Sequence, residues 1–161
     1  MIIRVFFSFH YERDFWRVSE IKSHWVTKPD RESAGYIDEE SWEALKLQGD
    51  GEIKQWIRNQ LHRTSVTVVM IGTETHSIDY VNNEISLSHE RKNGLLGVYI
   101  HNIQDVYDKK DSKGKNPFDN FRDTDSGLLF SQIYPAYDWI EDDGYENFGN
   151  WIETAATLAG K

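Results

Sequence analysis

Residues 65–92 run Ser-Val-Thr-Val-Val-Met-Ile-Gly-Thr-Glu-Thr-His-Ser-Ile-Asp-Tyr-Val-Asn-Asn-Glu-Ile-Ser-Leu-Ser-His-Glu-Arg-Lys. Val66 to Ile71 is a β-branched apolar run, the kind that forms a strand covered on both faces. Gly72 ends it. The polar loop from Thr73 to Asp79 then leads into a helical pattern, with Asp79 as the candidate N-cap. On that helix Tyr80 and Glu84 are four residues apart, so both project from one face near its start. The stretch thus presents a ring and a carboxylate just past the carboxyl end of a central strand, where open α/β sheets gather their ligands.

Upstream, Ile2 to Phe9 is almost wholly apolar and reads as a first, central strand that ends in the polar-aromatic corner Ser8-Phe9-His10-Tyr11. Glu12 to Trp25 reads as a helix with Phe15, Val18, Ile21 and Trp25 inward. A loop over residues 26–34, in which Pro29 bars helix continuation, precedes a short strand at Gly35-Tyr36-Ile37 near the sheet edge. A brief helix over Glu39–Leu47 stops at Gly49-Asp50-Gly51, and Asp50 can cap the next one, which carries Ile53, Trp56, Ile57 and Leu61 inward. Downstream of the opening stretch, Leu95 to Ile100 is another buried strand, and residues 101–127 form a long polar loop. A fifth short strand is expected within Leu128–Tyr137, followed by a last amphipathic helix capped by Asn147, with Phe148, Trp151, Ile152, Ala155 and Ala159 inward. Strands alternating with helices predict a flavodoxin-like, doubly wound α/β fold: about five mainly parallel strands with helices on both faces. With no repeat and no dividing linker, residues 1–161 read as one domain.

Composition narrows the function classes. Eighteen Lys+Arg against 27 Asp+Glu give a net charge of −9, which argues against general nucleic-acid or anionic-membrane binding. The absence of cysteine removes disulfides, thiolate zinc sites and cysteine nucleophiles together. Neither a signal h-region nor a run of membrane-spanning length is present, so a soluble, cytoplasmic protein is the expectation. There is no phosphate loop, no Gly-x-Gly-x-x-Gly after the first strand and no Gly-x-Ser-x-Gly elbow. The six histidines form no helical metal pair, and Asp123-Thr-Asp125-Ser-Gly127 lacks the glutamate of a calcium loop, so no metal site is expected. Receiver-type phosphate acceptance is disfavoured too, since His10 and Gly72 stand where acidic residues would be needed.

Several motifs, in this order, resemble a known family. Val5-Phe6-Phe7-Ser8-Phe9-His10, with Glu12 and Asp14 beyond it, resembles the first box of TIR domains. Asp30 to Gly35 sits where the mobile loop around the second strand would begin. Gly51–Ile57 and Ser65–Gly72 resemble the TIR helix and third strand, and Tyr80-Val-Asn-Asn-Glu84 resembles the aromatic-x-x-x-Glu motif of TIR enzymes that cleave NAD, with Tyr where Trp is commoner. With Gly94–His101, the pattern is most similar to prokaryotic TIR-like proteins, including the TIR subunit of Thoeris antiphage systems, over about residues 1–105.

That resemblance implies NAD as substrate rather than cofactor, scission of the nicotinamide–ribose bond, a cyclic ADP-ribose-type product, and a separate effector that senses it. It also implies self-association, which TIR enzymes often need. Glu84 would be the catalytic carboxylate, stabilising or trapping an oxocarbenium-like ribose or orienting a ribose hydroxyl. Tyr80 is the candidate stacking ring, and Phe9, His10 and Tyr11 are candidate pocket walls. Asn83 is a candidate partner for ligand or for Glu84, and Arg31 a candidate phosphate contact from the mobile loop. Two other readings stand beside this one: a non-enzymatic TIR-like interaction module, and a different nucleotide-binding enzyme on the same fold.

Overall fold

The structure, a computed structural model, describes residues 3–28, 30–37 and 39–161; Ile2 and Pro29, each given a role above, lie outside the described residues. The chain forms β1 (Ile3–Ser8), α1 (Phe15–Trp25), β2 (Arg31–Ala34), α2 (Glu39–Gln48), α3 (Asp50–Leu61) and β3 (Val66–Ile71). It continues with α4 (Asp79–Glu90), β4 (Gly94–Tyr99), α5 (Phe130–Ile133), β5 (Ala136–Asp138) and α6 (Gly144–Leu158). All neighbouring strands pair parallel, in the order β2-β1-β3-β4-β5. The expected flavodoxin-like, doubly wound sheet is therefore what the chain builds. Among the described residues no helix is long and apolar enough to cross a membrane.

Alternation along the strands decides which side chains meet which helices. Val5, Phe7, Val68, Met70, Leu96 and Val98 pack with Val18 and Trp25 of α1 and with Phe148 and Ile152 of α6. The opposite parity faces the other layer, where Phe6 meets Ile57 and Leu61 of α3. Val69, Ile71 and Leu95 meet Val81 and Ile85 of α4. Ser8 shares the parity of Phe6, so it too looks toward α3 and α4. On α4 the buried residues are Val81, Glu84, Ile85 and Ser88, spaced i, i+3, i+4, i+7. A carboxyl therefore sits in the middle of a sheet-facing stripe that would ordinarily be apolar.

Four local expectations are corrected. The second strand is Arg31–Ala34, not Gly35–Ile37. Its sequence has no apolar alternation, but the free edge of β1 recruits it, from Ile3↔Arg31 to Phe6↔Ala34. Gly35 then turns the chain at φ +76, where an added Cβ would stand 2.6 Å from the Phe7 carbonyl oxygen. The first helix opens at Phe15, because residues 9–14 make a tight corner in which the His10 carbonyl accepts from the Arg13 and Asp14 N–H groups. Asp79 and Asp50 are first helical residues rather than side-chain caps. The last helix starts at Gly144, which puts Asn147 inside it.

The polar segment 101–127 is stapled across the carboxyl ends of β3 and β4. Arg13 grips Asp111 with both terminal nitrogens, at 2.7 and 3.1 Å, while its Nε meets Glu74 at 2.7 Å. Arg17 donates to the carbonyls of Ile103 and Lys109, and Thr73 donates to that of Ser112. Its aromatic anchor, Phe118, is fully buried against the α4 side of the core.

Candidate active site

Glu84 leaves the second turn of α4 on the sheet-facing side and reaches the end of β1. Ser8 Oγ lies 2.7 Å from one carboxyl oxygen, and the Tyr11 hydroxyl lies 3.0 Å from the other. Glu84 and Ser8 have no exposed surface and Tyr11 almost none. A carboxylate taken out of water this completely favours its neutral form. Burial accordingly pushes Glu84 up to about 8, against the opposing pull of the Ser8 and Tyr11 hydrogen bonds. At neutral pH the group is mostly a carboxylic acid, and one of the two hydroxyls then accepts rather than donates.

A box of rings closes the site. Tyr11 stacks on Tyr80, with centroids 5.2 Å apart and planes 18° off parallel, and it touches Phe9 at 4.4 Å, Trp42 at 4.7 Å and Trp56 at 5.6 Å. The Tyr80 hydroxyl accepts from the Tyr11 backbone N–H at 3.1 Å. Burial pushes both phenols above their ordinary range, so neither titrates near neutrality. On its far side Tyr80, together with Asn83, Asp79, Lys54 and Ile53, lines a cavity of about 290 Å³ between α3 and α4. A larger cavity, about 570 Å³, is bordered by Gly94, the first residue of β4, and by Trp151. It lies at the opposite end of the sheet from Glu84, so its size does not make it the reactive site.

The residues nominated by sequence divide clearly. Glu84, Tyr11 and Tyr80 are brought together, with Phe9 behind them as a fully buried wall. His10 lies at the same corner with its Nδ1 buried and, among the described residues, unpartnered; burial lowers its pKa. Asn83 is turned away from Glu84, both of whose oxygens are already occupied, and faces α3 instead. Arg31 is displaced altogether. It begins β2 at the amino end of the sheet, with its guanidinium 4.4 Å over the Trp25 ring. The shift of the second strand is the reason: the loop that would have carried Arg31 toward the site begins only at Gly35.

Three residues were missed by reading the sequence. From sequence alone Ser8 reads only as the start of the polar-aromatic corner and part of the first box, with no role of its own. Trp42 is the one fully buried side chain of α2 and packs on both tyrosines. Asp14 is buried beside Gly72; burial raises it to about 6, and its Oδ2 is unpartnered among the described residues. Gly72 is required there, because an added Cβ would stand 2.2 Å from that oxygen. Among the described residues no group of His, Asp or Glu could hold a metal ion.

A family model described as "Thoeris protein ThsB, TIR-like domain" matches residues 6–105, the span that holds the second half of β1, the aromatic box and Glu84. A Bacillus cereus (strain MSX-D12) protein named "Putative cyclic ADP-D-ribose synthase ThsB1" is 34% identical over 192 residues, which take in 94% of this chain and 100% of that protein. On the strength of both matches, the chain belongs to the TIR-like domain family of the Thoeris protein ThsB.

Proposed function

We propose that this chain is an NAD-consuming signalling enzyme that cleaves the nicotinamide–ribose bond and makes a cyclic ADP-ribose-type messenger for antiviral defence. NAD is its substrate, not a resident cofactor, and a separate effector reads the product. The observation that carries the reading is a dry carboxyl, Glu84, held by hydroxyls on both oxygens beside a stacked pair of rings at the carboxyl end of the sheet. The name borne by the Bacillus cereus relative points the same way.

The chemistry suits such a site. Nicotinamide departs from NAD as a neutral base, so no general acid is needed. The ribose passes through an oxocarbenium-like state that one carboxylate can stabilise. For the substrate to reach Glu84, the Tyr11 ring has to leave its place on Tyr80, where a flat pyridinium ring can substitute for it. The arriving cation favours the ionised carboxylate, reversing the effect of burial. A pocket walled by Phe9, Trp42 and Tyr80 excludes water, which favours attack from within the nucleotide over hydrolysis.

The test is prolonged incubation of concentrated protein with NAD, resolving nicotinamide, ADP-ribose and cyclic products by mass spectrometry, beside Glu84→Gln. Release of nicotinamide that the variant abolishes, with unchanged circular dichroism, is the expected result. Equal release by both proteins sinks the proposal. An interaction module would release nothing, and a different nucleotide enzyme would act on other nucleosides in preference to NAD.

A further inference from the structure

The two hydrogen bonds to Glu84 are unlike in what it takes to break them. Ser8 is the last residue of β1, a strand paired on both sides, and its partner in register on β3 is Val69. Its side chain has a single rotor, no exposed surface, and a position fixed by the sheet. Apart from rotation about that one bond inside a fully buried position, moving Oγ away from Glu84 means unpairing the ladder. Tyr11 lies beyond the strand, in the corner before α1, and is held by ring contacts and by one backbone hydrogen bond to Tyr80. A flat substrate ring can replace those contacts; nothing replaces the ladder at Ser8.

We infer that Ser8 is the positioning residue for Glu84, keeping its hydrogen bond to one carboxyl oxygen through turnover while Tyr11 surrenders the other to the ribose. The inference rests on the reading of Glu84 as the carboxylate of NAD cleavage. Ser8 touches no substrate; it acts through Glu84. One fixed donor sets the rotation of the carboxyl, so that the freed oxygen faces the vacated ring site. It also favours the carboxylate over the acid. The titratable groups facing Glu84 are Tyr11, from the corner, and Tyr80, on its own helix, and both stay protonated across the neutral range. Asp14, raised to about 6, and His10, lowered from its ordinary value, sit at the same corner but are common to wild type and the Ser8 variants, so a difference in pH dependence between those proteins reports Glu84.

The test compares wild type, Ser8→Ala, Ser8→Thr and Glu84→Gln. The rising limb of kcat/KM against pH reports the free enzyme's carboxyl. Ser8→Ala moves that limb up by about one pH unit, a roughly ten-fold loss at pH 7, and Ser8→Thr, which keeps the hydroxyl, restores it. An infrared titration of the protonated carboxyl band, identified by its loss in Glu84→Gln, reads the same shift without turnover. An unmoved limb and an unmoved titration in Ser8→Ala, with Glu84→Gln inactive, overturn the role of Ser8 alone. Full activity in Glu84→Gln instead overturns the underlying assignment of Glu84.

Discussion

Glu84→Gln, the variant expected to be inactive, is also expected to make the protein more stable, and by an amount that depends on pH. Folding lifts the carboxyl from an ordinary 4.5 to about 8 through burial. Between those values the folded state binds a proton that the unfolded chain has lost, so stability falls as pH rises. The slope is roughly 1.4 kcal/mol per pH unit, which integrates to about 3 kcal/mol by pH 7 and levels off above pH 8. Glutamine mimics the neutral acid: it accepts at one end and donates at the other, so Ser8 and Tyr11 keep their partners. It does not titrate. The two proteins should therefore be nearly equal at pH 4.5, where the folded carboxyl is neutral and the unfolded one only half ionised, and diverge steadily above it. At pH 7 the gap corresponds to roughly 6–12 °C in Tm for a chain of this size. Urea unfolding of both proteins at half-unit steps from pH 4.5 to 8.5 measures it, and taking the difference cancels every other titrating group. A difference that stays constant with pH, or a variant that is less stable throughout, would refute the claim that Glu84 is buried at a cost.

Three further outcomes follow from other parts of the molecule. Arg31→Ala should leave KM for NAD unchanged and lose only the contact with Trp25, about 0.5–1 kcal/mol of stability by urea unfolding; a raised KM would return Arg31 to the site. Gly72→Ala should cost roughly 1–3 kcal/mol in the same assay, because its methyl lands on the buried Asp14 carboxyl. Acidification should release the 101–115 segment: the Arg13 guanidinium holds Asp111 down at about 2, so its contribution is complete above 3.8 and lost as pH falls through about 2. Hydrogen exchange over residues 109–115 reads this directly, and Arg13→Ala should show the same loosening already at pH 7.

The fold was legible where burial is symmetric. Val66–Ile71 was expected as a strand because both its faces are apolar, and it is one. β2 was not legible, since Arg31-Glu32-Ser33-Ala34 becomes a strand through the backbone edge of β1 and not through any pattern of its own. The Glu84 side of the site was half legible. Four-residue spacing placed Tyr80 and Glu84 together, and the i, i+3, i+4, i+7 run through Val81, Ile85 and Ser88 marks Glu84 as inward-facing. Ser8 needed strand parity and register before it could be set opposite a helix 76 residues away. The pairing of Arg13 with Asp111, 98 residues apart, leaves no local signature at all.

Several departures from ordinary packing rules meet at one corner of the fold. The carboxyls of Glu84 and Asp14, both raised by burial, lie at or against the corner after β1. So does His10, whose buried Nδ1 is unpartnered among the described residues. Elsewhere the interior mixes satisfied pairs, as where Thr67 and Ser88 meet at 2.7 Å between β3 and α4, with single buried nitrogens on His76, His101 and Trp139 that are unpartnered among the described residues. Each buried, poorly paired polar group carries a cost on the order of 1–3 kcal/mol. That cost is borne in the closed state and relieved when the corner opens and the groups meet water or a cation. Opening is therefore easier here than burial of so many rings would suggest. The same strain that lowers stability lets Tyr11 be displaced from Tyr80 while Ser8, locked in the sheet, stays where it is.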